Sequence, residues 1–222
     1  DGMKDKIRIR AANQTDDEAY ASLTVSVNGK TAYRLKNTRF YNVIANIYTL
    51  KNGQPFLYLY APAENGDGPV CALLKYTNGK FRKILDFTEI MAGYGNHRIG
   101  EVTNLNGNKI VITESIVSYS LGINAINFTY EYVNGKFVPT SRYGSYKEIY
   151  SADGSSRHFT VNSDLPAYAR PGATAVNTTL KTGSLTKIIK CALINRKMYI
   201  QLECDGEIYW IKALENPPIS DS

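Results

Sequence analysis

The chain has 222 residues, 43% of them hydrophobic and 21% charged, which suits one large or two small domains with real cores and excludes a disordered or fibrous chain. Twenty-six Lys and Arg against 20 Asp and Glu give a formal charge of +6, which favours anionic partners, although the cations are scattered as on a solvated basic surface rather than clustered. No apolar run reaches the roughly 18 residues that would suggest a membrane-spanning helix, and Cys71, Cys191 and Cys204 show neither metal-site spacing nor the even count of a disulfide framework.

The opening DGMKDKIRIR carries no basic-then-apolar leader, a start compatible with an exported chain whose leader has been removed. Seventeen Tyr against one Trp, many β-branched residues and repeated Asn-Gly pairs predict an all-β protein with little helix. Strands are expected at KIRIRA, ASLTVSV, VIANIYTL, PFLYLYA, VCALLKY, RIGEVTNL, KIVITES and INFTYEY. Asn-Gly turns punctuate them at 28–29, 52–53, 78–79, 106–107 and 134–135.

The clearest hairpin is LLKYTNGKFRKIL, residues 73–85. A type I′ turn at Asn78-Gly79 needs positive φ at both residues, which Gly allows freely and Asn tolerates. The register then sets Thr77 opposite Lys80, Tyr76 opposite Phe81 and Leu74 opposite Lys83, with an aromatic pair on one face and Lys75, Thr77, Lys80 and Arg82 on the other. The related turns SVNGKTAY and EYVNGKFV lie 50 residues before and 56 after. About four strands per repeat is the pattern of propeller blades. Three repeats are too few for the usual ring, so an open propeller-like stack or a twisted sandwich is expected.

Beyond Tyr146 the pattern weakens. YKEIYSADGSSRHFTV reads as one more hairpin turning at Asp153-Gly154, and the polar SADGSS as a linker, so the domain boundary is placed near residue 155: 1–155 as repeated β units and 156–222 as a separate domain. In residues 158–213 an opening FTV strand leads to YARPGAT, then TLKTGSLTKII, then KMYIQLECDGEIYWIKA. In order and spacing these resemble a bacterial SH3-like (SH3b) domain, with Met198 where the family often has Trp and Tyr209 where it has Gly before the final Trp. The resemblance implies a small barrel of five or six strands, carried on an exported bacterial protein and binding peptidoglycan or a protein partner. It marks Trp210 as the closing Trp. Tyr168, Arg170, Tyr199 and Trp210 are the expected ligand-binding residues; Pro166 and Pro171 stiffen the Tyr168 loop, which lowers the ordering cost of binding.

Catalytic chemistry finds little support in the sequence. His97 and His158 have no Cys or Asp at motif spacing, Cys71 reads as a small buried hydrophobe within a strand, and no Gly-rich phosphate loop opens a helix. ENGDG at 64–68 and TDDE at 15–18 lack the acid series of a calcium loop, so neither a metal nor a cofactor is expected. Asp86, Glu101 and Glu114 cannot be placed as a glycosidase pair from spacing alone. Tyr58 with Tyr60, and Tyr130 with Tyr132, share strand faces and read as core ladders or as an exposed stacking strip. The sequence thus favours a non-enzymatic binding protein on the surface or exterior of a bacterium, contacting peptidoglycan, an anionic wall polymer or a protein, and not nucleic acid. A regulatory interaction module is the alternative and a cell-wall hydrolase the weakest one.

Overall fold

The computed structural model describes residues 5–14, 17–64, 68–91, 97–118, 122–149, 158–214 and 217–221, with 97–99, 117–118, 122–123, 147–149 and 221 described by backbone alone. The protein is all-β: among the described residues nineteen strands are joined by turns, and the one helical element is a three-residue 3-10 turn, Phe87–Glu89. The sheets are antiparallel, and among the described residues none closes on itself.

Two compact units divide the chain. The first comprises Asp1–Thr88 with Asn106–Asn108 and Tyr132–Phe137; the second comprises Glu89–Leu105, Lys109–Glu131 and Val138–Ser222. The predicted boundary near 155 and the turn at Asp153-Gly154 lie outside the described residues, as do most of ENGDG and part of TDDE.

The first unit is a two-sheet sandwich. Strands β1 (Ile7–Gln14), β2 (Tyr20–Val27) and β3 (Lys30–Phe40) form one sheet, and β4 (Ile44–Thr49), β5 (Pro55–Ala61), β6 (Val70–Thr77) and β7 (Lys80–Asp86) form the other, each in chain order. Alternation decides which residues meet: Leu23, Val25, Val27 and Phe40 from one sheet pack with Leu57, Leu59, Ala72 and Leu74 from the other. Each of the larger side chains among them, once buried, contributes roughly 1.5–3 kcal/mol. Strand β5 is buried on both faces: Tyr58 and Tyr60 lie opposite its leucines at 3% exposure, so they form core and not a stacking strip. Tyr58 packs on Tyr48 and Phe87, and Phe56 on Tyr132 and Phe137.

The Asn-Gly turns explain the register. At 28–29, 78–79 and 134–135 both residues take positive φ, about 50° then about 80°, as a type I′ turn requires. Thr77 faces Lys80, Tyr76 faces Phe81 with rings 5.2 Å apart, and Leu74 faces Lys83, as the hairpin reading expects. In the first repeat a bulge at Val25/Ser26 accompanies the pairing of Ser26 with Thr31 where the other two carry aromatics. The turn at 106–107 differs: Gly107 takes positive φ and Asn106 stays in its strand.

The second unit contains β8 (His97–Asn106), β9 (Lys109–Ser118), β10 (Gly122–Val133), β12 (Tyr143–Ile149), β16 (Leu185–Ile194), β17 (Lys197–Cys204) and β18 (Glu207–Lys212), which form one sheet in the order β18-β17-β16-β12-β10-β9-β8, less the hairpin tips assigned to the first unit. Strand β11 (Lys136–Pro139) pairs β10; β13 (His158–Val161) lies between β16 and β19 (Ile219–Asp221); β14 (Leu165–Ala167) and β15 (Thr178–Leu180) make a separate ribbon. The expected hairpin of YKEIY with HFTV is not made. Residues 146–149 lie along β10 instead and β13 pairs β16 at 185–187, while β12 meets β16 only through Tyr143 and Gly144, opposite Ala192 and Cys191.

All three cysteines are buried thiols outside any disulfide, Cys71 in β6, Cys191 in β16 and Cys204 in β17.

Candidate functional site

The β16–β18 meander has two faces. One turns Cys191, Ile200, Leu202 and Ile211 inward, all at 1% exposure or less. The other carries Lys190, Ala192, Tyr199, Gln201, Trp210 and Lys212 in cross-strand rows, because Ala192 pairs Tyr199, Tyr199 pairs Lys212, and Gln201 lies between Lys190 and Trp210. The loop after β14 folds over this second face. It is pinned by a two-way backbone bridge, Tyr168 N–H to the Trp210 carbonyl at 2.7 Å and Trp210 N–H to the Tyr168 carbonyl at 2.9 Å. Gly172, at φ 82°, lets the loop turn tightly.

Three of the four sequence-predicted residues therefore come together. Tyr168, Tyr199 and Trp210 form one buried cluster with Ala192, and Ala173 and Ile194 pack against it. Arg170 stays exposed at the loop's crest, where its carbonyl accepts from the Ala173 amide. Trp210 belongs to this satellite cluster on the face opposite Cys191 and Ile211.

Around the cluster stands a set of cations. Lys212 Nζ lies 5.5 Å from the centre of the Tyr168 ring, while Lys190 Nζ and the Arg142 guanidinium lie 4.5 and 5.1 Å from the Tyr143 ring, within cation–π range. Tyr143 in turn stacks on Trp210 at 6.0 Å between centroids. A groove of about 340 Å³ runs between 172–174, 197–199 and 212–214, with Tyr199, Lys197 and Lys212 on its walls. A second hollow of about 210 Å³ opens beside Tyr143 and Lys190. No family model, curated protein or solved structure matches the chain.

Tyr143, Lys190, Lys197 and Lys212 escaped the sequence reading. Tyr143 reaches the site only because β12 pairs β16 across 49 residues, with Tyr143 opposite Ala192, and no local pattern announces a ladder of that span. The two lysines of the groove were legible in part, since Lys197 and Lys212 bound the segment KMYIQLECDGEIYWIKA.

One further group has the burial of a functional residue. Glu114 in β9 is fully buried, and neither carboxyl oxygen has a hydrogen-bond partner among the described residues. Burial pushes its carboxyl well above the ordinary value of 4.5, favouring the neutral acid. The register places it opposite Ile126 and on the same face as Ile112, Ile116, Phe128 and Tyr146, an apolar setting apart from Asn124 and Tyr146. Tyr130 is raised to about 12, chiefly by burial and further by Glu114.

The remaining titratable candidates sit elsewhere. Cys191 is pushed up to about 12 by burial, which keeps it a thiol, and Cys71 is a buried neighbour of the Tyr58 hydroxyl at 3.8 Å. His158 begins β13, half-buried, and His97 begins β8 with its side chain outside the described residues. Among the described residues no group of three His, Cys, Asp or Glu is placed to hold a metal.

Proposed function

We propose that the protein is a non-enzymatic binding module of a bacterial surface or exterior, in which the C-terminal SH3-like segment takes an anionic peptide such as the stem peptide of peptidoglycan. The observation that carries this reading is the groove beside Tyr199, flanked by Lys197 and Lys212. Among the described residues neither lysine is engaged in an ion pair. An aromatic wall gives a peptide apolar contact at low ordering cost, and two lysines give its carboxylates a counter-charge. The strand order β19-β13-β16-β17-β18, with Tyr168 bridging Trp210, supports the SH3-like reading in that the segment's strands lie side by side in one sheet and its loop returns to the last of them.

The test is retention on purified peptidoglycan. Lys197→Glu with Lys212→Glu should cut retention about tenfold or more while the melting temperature stays near that of the parent. Raised salt should weaken the parent's binding. Equal retention of parent and variant would remove the groove from consideration.

A partner-clasping role for the N-terminal unit is the second reading. It is favoured by an apolar hollow of about 310 Å³ lined by Ile7, Ile47, Phe56 and Tyr76, where Ile47 is half exposed. Loss of capture from cell extract on Ile47→Asp, with peptidoglycan retention intact, would favour it over the first.

A further inference from the structure

The sequence scatters its cations, but the fold gathers four of them on one sheet face. In β1 the alternation that sends Ile9 and Ala11 to the sandwich core leaves Arg8 and Arg10 on the outer side. Across β2 the register sets Arg10 opposite Thr24 and Thr24 opposite Arg34, while Ser22 stands opposite Lys36. Arg8, Arg10, Arg34 and Lys36 are all exposed, and the hydroxyl residues between them are half-buried. Strand geometry makes this a trough: two cationic rows about 10 Å apart, with alternate residues about 7 Å apart along each row. A concavity of about 380 Å³ occupies the part lined by Ser22, Thr24, Arg34 and Lys36.

No carboxylate among the described residues pairs with any of the four. Two acids close to them in sequence are engaged elsewhere: Asp17 pairs with Arg39, and Asp5 accepts from the Asn28 side chain at 2.7 Å. Three of the four cations are arginines, whose planar fork matches a phosphate oxygen pair. The aromatics of the three strands, Tyr20, Tyr33 and Phe40, pack toward the core, so the described part of these strands sets no ring beside the cationic rows for a nucleobase to stack on.

We propose that the outer face of the β1–β3 sheet binds a flexible polyol-phosphate polymer of the wall-polymer type, through Arg8, Arg10, Arg34 and Lys36. The backbone phosphates engage the two cationic rows, and the polymer's hydroxyls lie over the Ser22 and Thr24 strip. This surface is distinct from the peptide groove and does not depend on it.

The experiment uses the whole chain and a fluorescently labelled glycerol-phosphate oligomer, with anisotropy read at low and raised salt. The parent should bind, with affinity falling steeply as salt rises. Arg10→Gln with Arg34→Gln should weaken binding about tenfold or more and make the salt slope shallower by about one to two. Lys197→Glu with Lys212→Glu should leave it unchanged. Arg8→Gln with Lys36→Gln provides a second, independent pair should the first fail to fold. The proposal is overturned if the parent does not bind, if folded variants of the face bind as the parent does, or if the groove variant is the one that loses binding. Equal or tighter binding of a single-stranded oligonucleotide with the same number of phosphates would overturn it in favour of nucleic acid.

Discussion

Glu114 is the residue whose chemistry is most at odds with its surroundings. The native state holds its proton at pH values where the unfolded chain, with a carboxyl near 4.5, has released it. Its stabilising contribution is therefore complete below about 4.5 and is lost as pH rises toward the raised folded value, at a slope of at most about 1.4 kcal/mol per pH unit. Urea titrations of the parent and Glu114→Gln across this range should show a falling midpoint for the parent and a flatter profile for the variant; parallel profiles would mean that the acid is not neutral in the fold. Gly144 makes a second prediction at this scale. A methyl group there would meet Phe128 Cε1 at 2.5 Å and Ile126 Cγ2 at 2.8 Å, so Gly144→Ala should cost about 1–3 kcal/mol by thermal unfolding. Glu114 could be named from the sequence only as one of three unplaced carboxylates, and Gly144 did not stand out, because what matters in both cases is the side chains brought around them by β10 and β12. Cys71 was legible, since a thiol in the apolar run VCALL has a strand interior as its natural place.

Strands and turns were the most readable level. A residue pair that tolerates positive φ restricts where a hairpin can reverse, and alternation on either side sets its register, so KYTNGKFR contained its own pairing. Gly79→Ala should accordingly destabilise the protein by about 1–2 kcal/mol, the cost of holding an L-residue at φ 77°, with no clash to add since nothing lies within 4 Å of the new carbon. Chemical denaturation measures this directly, and an unchanged midpoint would contradict the turn type. Reading failed where partners were remote. YKEIY and HFTV resembled a hairpin because they were neighbours in sequence, yet the described part of YKEIY lies along β10 and HFTV lies between β16 and β19. The cationic face of β1–β3 was hidden for a similar reason: Arg10 and Arg34 are 24 residues apart in sequence and become neighbours only across β2.

For the molecule as a whole, the all-β class followed from composition and turn spacing, whereas the division of the chain did not. The polar stretch SADGSS drew attention to residue 155, but the compact units are set by which strands share sheets, and β12 shares one with β16. Removing residues 158–222 should therefore have unequal effects. The sandwich core of Leu23, Val25, Leu57, Leu59 and Leu74 is built wholly from residues before 88 and should keep slow amide exchange in β2, β5 and β6. Strand β12 would keep β10 but lose β16, so its Tyr143–Gly144 end should exchange faster. Uniform collapse of protection would show that the first unit cannot stand without the C-terminal segment.

The three thiols make the protein its own reporter. Because Cys71 is buried in one unit and Cys191 and Cys204 in the other, none should react with an alkylating reagent until its strands part. Pulsed alkylation followed by peptide mass analysis would then time the opening of each unit separately, with no probe introduced and no residue replaced. The order in which Cys71 and the other two become labelled would reveal which part of the chain gives way first.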